Sequence, residues 1–221
     1  MPSSQLTIGA AEMKTANERQ KEMPVAGCGS RRDEIVLRLP PWLRAIMQPE
    51  HPPLASAESR MRFAIELARE NVARRTGGPF GAAVFEAAGG RLVSVGVNLV
   101  EASNCSMAHA EMIAIALAQQ AVGHYDLGAA GVYELATSVE PCAMCLGAIP
   151  WSGLRRIVCG ARGEDAAAIG FDEGAKPADW VGELHQRGIE VVRDVRRDNA
   201  RAVLQQYAQT GGLIYNPGQS A

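Results

Sequence analysis

No stretch of the 221-residue chain approaches the ~20 consecutive apolar residues that a membrane-spanning helix requires. The opening run MPSSQLTIGAAEMKTANERQKE also lacks the continuous apolar segment of a secretory signal, so a cytoplasmic protein without a membrane partner is expected. Charge of one sign is missing as well. Lysine and arginine total 22 against 24 for aspartate and glutamate, a net charge of -2 that offers little attraction to phosphate backbones and argues against a dedicated nucleic-acid binder. Cysteine is sparse and odd in number: Cys28, Cys105, Cys142, Cys145 and Cys159. With no export signal, that count argues against a disulfide framework. A phosphate loop is absent too, because Gly77, Gly78 and Gly81 precede a strand and no Gly-Lys-Ser/Thr follows them.

What is present is the composition of one soluble globular domain, 47% hydrophobic and 21% charged. Residues 1–33 are polar, have no sustained apolar period and read as a mobile extension. Residues 34–55 are interrupted by prolines, and Trp42, Leu43 and Ile46 make them an apolar arm able to pack on the domain. The domain proper spans 56–210. Met61, Ile65, Ala68 and Val72 form one stripe of an amphipathic helix that Gly77 and Gly78 are expected to end. Two strands joined at Gly89-Gly90 follow as a hairpin. A nearly all-apolar helix, with Ser106 expected as its cap, leads to a strand over 131–140. A short helix then begins with Pro141 in its first turn and stops near Gly153. A strand over 154–161, a helix within 177–188, a strand over 189–195 and an amphipathic helix over 197–209 complete the order. The expected fold is α/β, a three-layer α/β/α sandwich around a five-stranded mixed sheet. The long connection after residue 161 makes the last two strands parallel.

Cys142-x-x-Cys145 alone fits a redox pair as well as half a metal site. The earlier His109-Ala110-Glu111 decides between them, since His-x-Glu with Pro-Cys-x-x-Cys is the signature of zinc nucleobase deaminases. His109, Cys142 and Cys145 would supply one nitrogen and two thiolates to Zn2+ and leave the fourth tetrahedral position for water. Both ligand groups fall at expected helix starts, where the dipole favours thiolate over thiol. Glu111 is then the general acid/base beside that water. The competing structural reading is a closed site in which Cys105 is a fourth ligand, leaving Glu111 without a role. Cys28 and Cys159 read as inert thiols. His51, His124 and His185 read as surface histidines.

Through these motifs and the order of its elements, the chain resembles the cytidine deaminase-like superfamily over roughly residues 56 to 210. Three further stretches, GGPFGAAV, GVN and AIGFDEG, are similar to its bacterial guanine deaminase branch. The resemblance implies hydrolysis of a purine base, guanine to xanthine and ammonia, with Zn2+ and water and no organic cofactor. It implies that Asn98 hydrogen-bonds the base and that Phe80, Ala110 and Trp151 line its binding place. It also implies that Asp172 and Glu173 meet the purine edge, with Glu173 as a second proton shuttle. A homodimer is implied, as is a C-terminal tail, residues 211–221, that closes over the site with Gly211 and Gly212 as hinge and Tyr215 as cap. The same machinery serves tRNA adenosine, cytosine, cytidine and aminotriazine deaminases, which remain alternatives. A rival of another class is a non-enzymatic zinc module used for protein association.

Overall fold

The structure, a computed structural model, describes residues 35–47 and 51–216. The expected N-terminal extension, Cys28 and the tip of the tail lie outside the described residues. In chain order the elements are α1 (Pro41–Ile46), α2 (Ala57–Ala73), β1 (Gly81–Glu86), β2 (Leu92–Val97), α3 (Val100–Ser103), α4 (Ala110–Val122), β3 (Tyr133–Val139), α5 (Ala143–Ser152), β4 (Arg156–Ala161), α6 (Gly163–Ala167), α7 (Trp180–Gln186), β5 (Glu190–Val192) and α8 (Arg197–Gln209). A 3-10 turn, Leu127–Ala129, precedes β3.

The five strands form one sheet in the order β2-β1-β3-β4-β5. β1 is antiparallel to both β2 and β3, whereas β3, β4 and β5 run parallel. Alternation along each strand separates two apolar layers. Ala83, Phe85, Ala136 and Val158 face one way, toward Met61, Ile65 and Ala68 of α2 and Val203 and Leu204 of α8. Ala82, Val84, Leu135 and Ile157 face the other, toward Ala114 and Ala118 of α4, Ile149 of α5 and Leu184 of α7. Strands buried on both faces account for their near-continuous apolar character, and the three-layer sandwich follows.

Some boundaries differ from the expectation. Prolines in the arm do not prevent a helix: Pro41 occupies the first turn of α1, where its missing N–H costs nothing. Leu43 of α1 is fully buried in the first layer. α2 ends at Ala73 with Arg74 as its cap and Arg75 in the left-handed region (φ 55°), before Gly77 and Gly78 are reached. Ser106 does not cap α4. Asn104 (φ 50°) closes the short helix α3, residues 105–108 turn with Ala108 N–H donating to Cys105 O (3.0 Å), and His109 becomes the cap. Pro141 likewise lies just outside α5, whose cap is Cys142.

Gly96 shows how closely α4 sits on the sheet. A Cβ at this position would fall 2.0 Å from Ala110 O, in the first turn of the helix that carries His109. Gly96→Ala is therefore expected to destabilise the protein by about 1–3 kcal/mol through forced displacement of α4. Chemical unfolding measures it, and an unchanged transition would contradict the packing described.

Candidate active site

The metal-binding triad is built at two helix starts. His109 is the cap of α4, Cys142 is the cap of α5, and Cys145 lies three residues into α5. That spacing turns both sulfurs toward one point, where free backbone N–H groups and the helix dipole stabilise negative charge. His109 Nδ1 is 3.5 Å from Cys142 Sγ and 3.5 Å from Cys145 Sγ. All three ligand atoms lie within 4.8 Å of one another. A tetrahedral Zn2+ at ~2.0 Å from nitrogen and ~2.3 Å from sulfur separates N from S by about 3.5 Å, so the donor set and its spacing fit that ion. The hydrogen bond from Cys145 lowers Cys142 to about 4, and the same hydrogen bond, with burial, raises Cys145. A divalent cation would do for both sulfurs what that single proton does for one.

Cys105 does not join this cluster. It packs beside the first apolar layer, and His109, Cys142 and Cys145 are the metal-holding group among the described residues. His109 and Cys142 border a cavity of about 180 Å³ that is also lined by Glu111, Asn98, Phe80, Asp172, Glu173 and Tyr215, among others. Glu111 is 6% exposed; burial, then the neighbouring Cys142 charge, pushes its carboxyl above the ordinary range. Glu173 is raised to about 8, first by burial and then by Cys142. Its Oε2 is buried without a hydrogen-bond partner, and its carbonyl accepts from Ala143 N–H at the start of α5 (2.9 Å).

Asn98 leaves the end of β2 almost fully buried. Its N–H donates to Phe80 O (3.1 Å), its Oδ1 accepts from Val100 N–H (3.3 Å), and its Nδ2 donates to the Tyr215 hydroxyl. Gly77 allows this approach, since a Cβ there would lie 1.9 Å from Asn98 O. The Tyr215 ring stands edge-on to Phe171 at 5.3 Å, and Phe171 stands edge-on to Phe80 at 4.9 Å. Asn216 fastens the tail: its Nδ2 donates to Gly170 O (2.7 Å) and its Oδ1 accepts from Asp172 N–H (3.0 Å). Asp172 Oδ1 accepts from Gly174 N–H (2.8 Å) and so shapes the loop before α7.

Two expected contacts are not brought to the cavity. Trp151 is 86% exposed at the far end of α5, about two and a half helical turns from Cys142. Ala110 is fully buried in the layer beneath α4. Conversely, Phe171, Glu140, Ser106 and Asn216 line the cavity without having been expected there. Phe171 sits within AIGFDEG, and as an aromatic beside two acids it carried a signal. Glu140, one residue before the cysteine motif, is buried and accepts from Arg193 Nε (2.6 Å) and Gly163 N–H (3.1 Å). Those partners come from distant sequence.

Residues 54–161 match the family described as the cytidine and deoxycytidylate deaminase zinc-binding region. The chain belongs to this family of zinc-binding deaminases. Among its relatives is the guanine deaminase of Bacillus subtilis (strain 168), 41% identical over 116 residues, which span 52% of this chain and 71% of that protein. The solved structure of a guanine deaminase from Nitrosomonas europaea is 46% identical with a TM-score of 0.77, covering 82% of this chain and 100% of that one. A tRNA-specific adenosine deaminase of Haemophilus influenzae (strain ATCC 51907 / DSM 11121 / KW20 / Rd) is 36% identical over 114 residues, 51% of this chain and 62% of that protein.

Elemental analysis is expected to find one zinc per chain. Cys145→Ser, which replaces a fully buried sulfur, should lower that content to a small fraction, and full retention of zinc would remove Cys145 from the ligand set.

Proposed function

We propose that the chain is a zinc-dependent guanine deaminase that hydrolyses guanine to xanthine and ammonia. The observation that carries this reading is the gathering of the triad, two buried carboxyls of raised pKa and Asn98 around one small cavity that Tyr215 and Asn216 also line. Sequence identity to guanine deaminases, 41% and 46%, supports the substrate. Zn2+ held by His109, Cys142 and Cys145 would polarise water and supply the nucleophile at neutral pH.

The chain's own residues do the rest. Phe80 and Phe171 offer apolar walls to a flat ring. Asn98 presents an amide donor to the base, and Tyr215 excludes solvent above it. Glu111 takes the proton from the attacking water and passes it to N3 of guanine, the ring nitrogen beside C2 that carries no hydrogen. Glu173, still protonated near neutral pH because of its pKa of about 8, gives its proton to the amino nitrogen on C2, so that ammonia leaves. The water oxygen remains on C2 and gives up its second proton as the C–N bond breaks, so that the carbonyl of xanthine forms and the Glu173 carboxylate is reprotonated.

We place the enzyme in the cytoplasm, in purine breakdown, as a homodimer. Among the described residues no helix is long and apolar enough to cross a membrane. Trp151, outside the cavity and 86% exposed, would be covered by a second copy. The near-neutral charge of -2 favours a free base over nucleic acid.

Glu111→Gln should keep its zinc and its fold while ammonia release from guanine falls by about 10²–10⁴-fold. Ammonia release at the wild-type rate would overturn the general acid/base assignment. Because Glu173 acts in its protonated form, kcat should decline as pH rises through about 8. Glu173→Gln should lower kcat and abolish that declining limb; a limb that survives the substitution belongs to another group.

A further inference from the structure

Asn71 does not line the cavity, yet it holds two of the cavity's walls in place. It sits near the end of α2 with no exposed surface. Its Nδ2 donates to Gly78 O (2.9 Å) and to Asn98 O (2.9 Å), while its Oδ1 accepts from the Thr76 hydroxyl (2.6 Å). Only one setting of the amide satisfies all three, since the reversed amide would turn its oxygen on two carbonyl oxygens. The carbonyls concerned are tied to the site. Gly78 O also accepts from Phe80 N–H (2.9 Å), and Phe80 O accepts from Asn98 N–H (3.1 Å). One buried amide thus joins the Gly77–Phe80 loop to Asn98.

The series continues away from the cavity. Thr76 Oγ1 accepts from Trp42 Nε1 (3.2 Å), and the Arg74 guanidinium lies 5.6 Å from the Trp42 ring centre. Trp42 belongs to α1, outside residues 54–161 that match the family. Each donor in this series polarises the next, and loss of Nδ2 would take a donor from Asn98 O and leave Gly78 O with Phe80 N–H.

We propose that Asn71 is a positioning residue that acts through Asn98, setting where the Asn98 amide meets the base, and that Trp42 and Thr76 hold Asn71 in that setting. The proposal rests on the guanine deaminase reading for the part Asn98 plays. A displacement of about 1 Å in such a contact lowers turnover by up to ~10²-fold.

The test is a double-mutant cycle on Asn71→Ser and Asn98→Ala, read as kcat/KM for guanine and, in a Glu111→Gln background, as Kd for 8-azaguanine. With zinc content unchanged, Asn71→Ser should weaken both quantities about 10- to 100-fold when Asn98 is present and no more than about twofold when it is alanine. Equal losses in the two backgrounds, or no loss, would overturn the proposal, because a merely structural role does not depend on Asn98. Should Asn71→Ser fail to fold, Thr76→Val takes its place, with a loss of about three- to tenfold and the same dependence on Asn98; additive losses there also overturn it. Wild-type protein that binds 8-azaguanine but releases no ammonia from guanine would sink the functional reading alone, while the binding cycle still decides the role of Asn71.

Discussion

Everything in this molecule turns on bringing one imidazole and two sulfurs, 33 and 36 residues apart in sequence from that imidazole, to a common point. Side chains on loops would not hold that geometry without support. Here the problem is solved by helix caps: His109 and Cys142 each occupy the residue before a helix, and Cys145 lies within the first turn of the second. The two helices rest on one face of the same sheet, in one apolar layer. The position of α4 in turn depends on the absence of a side chain at Gly96. Packing in the layer and charge at the metal site are therefore one problem, since a shift of either helix start separates the donors.

Around that point the protein buries two carboxyls beside the Cys142 sulfur. Burial raises both Glu111 and Glu173, and the charge on Cys142 adds to it. Two other buried carboxylates, of which Glu140 borders the same cavity, are treated in the opposite way. Glu134 is fully buried between Arg60 (3.1 Å) and Arg156 (2.6 Å), and Glu140 meets Arg193. Glu134 and Glu140 are paired with arginines, whereas Glu111 and Glu173 have no arginine ion pair among the described residues, which suits groups that must gain and lose a proton.

Much of this was legible in the sequence. The alternating and 3.6-residue periods give the order of strands and helices, and α8 begins and ends where its amphipathic stripe does. The His-x-Glu and Cys-x-x-Cys spacing is a local property of two helix starts, so the triad could be named without coordinates. The parallel pairing of β4 and β5 follows from the length of chain between them. What escaped depends on contacts between distant segments. Ser106 has the chemistry of a cap, but Asn104 and the turn after it move the helix start to His109. Trp151 is close to the motif in sequence but lies at the other end of the helix that Cys142 caps. Phe171, Asn216 and Asn71 acquire their roles from partners that no local pattern reveals.

The central claim is a cation bound by one nitrogen and two sulfurs with its last position open to solvent and beside Glu111. X-ray absorption at the zinc edge of the purified protein examines it directly. The account predicts two sulfurs at ~2.3 Å and two nitrogen or oxygen neighbours at ~2.0 Å; a third sulfur in that shell, or no zinc at all, would contradict it.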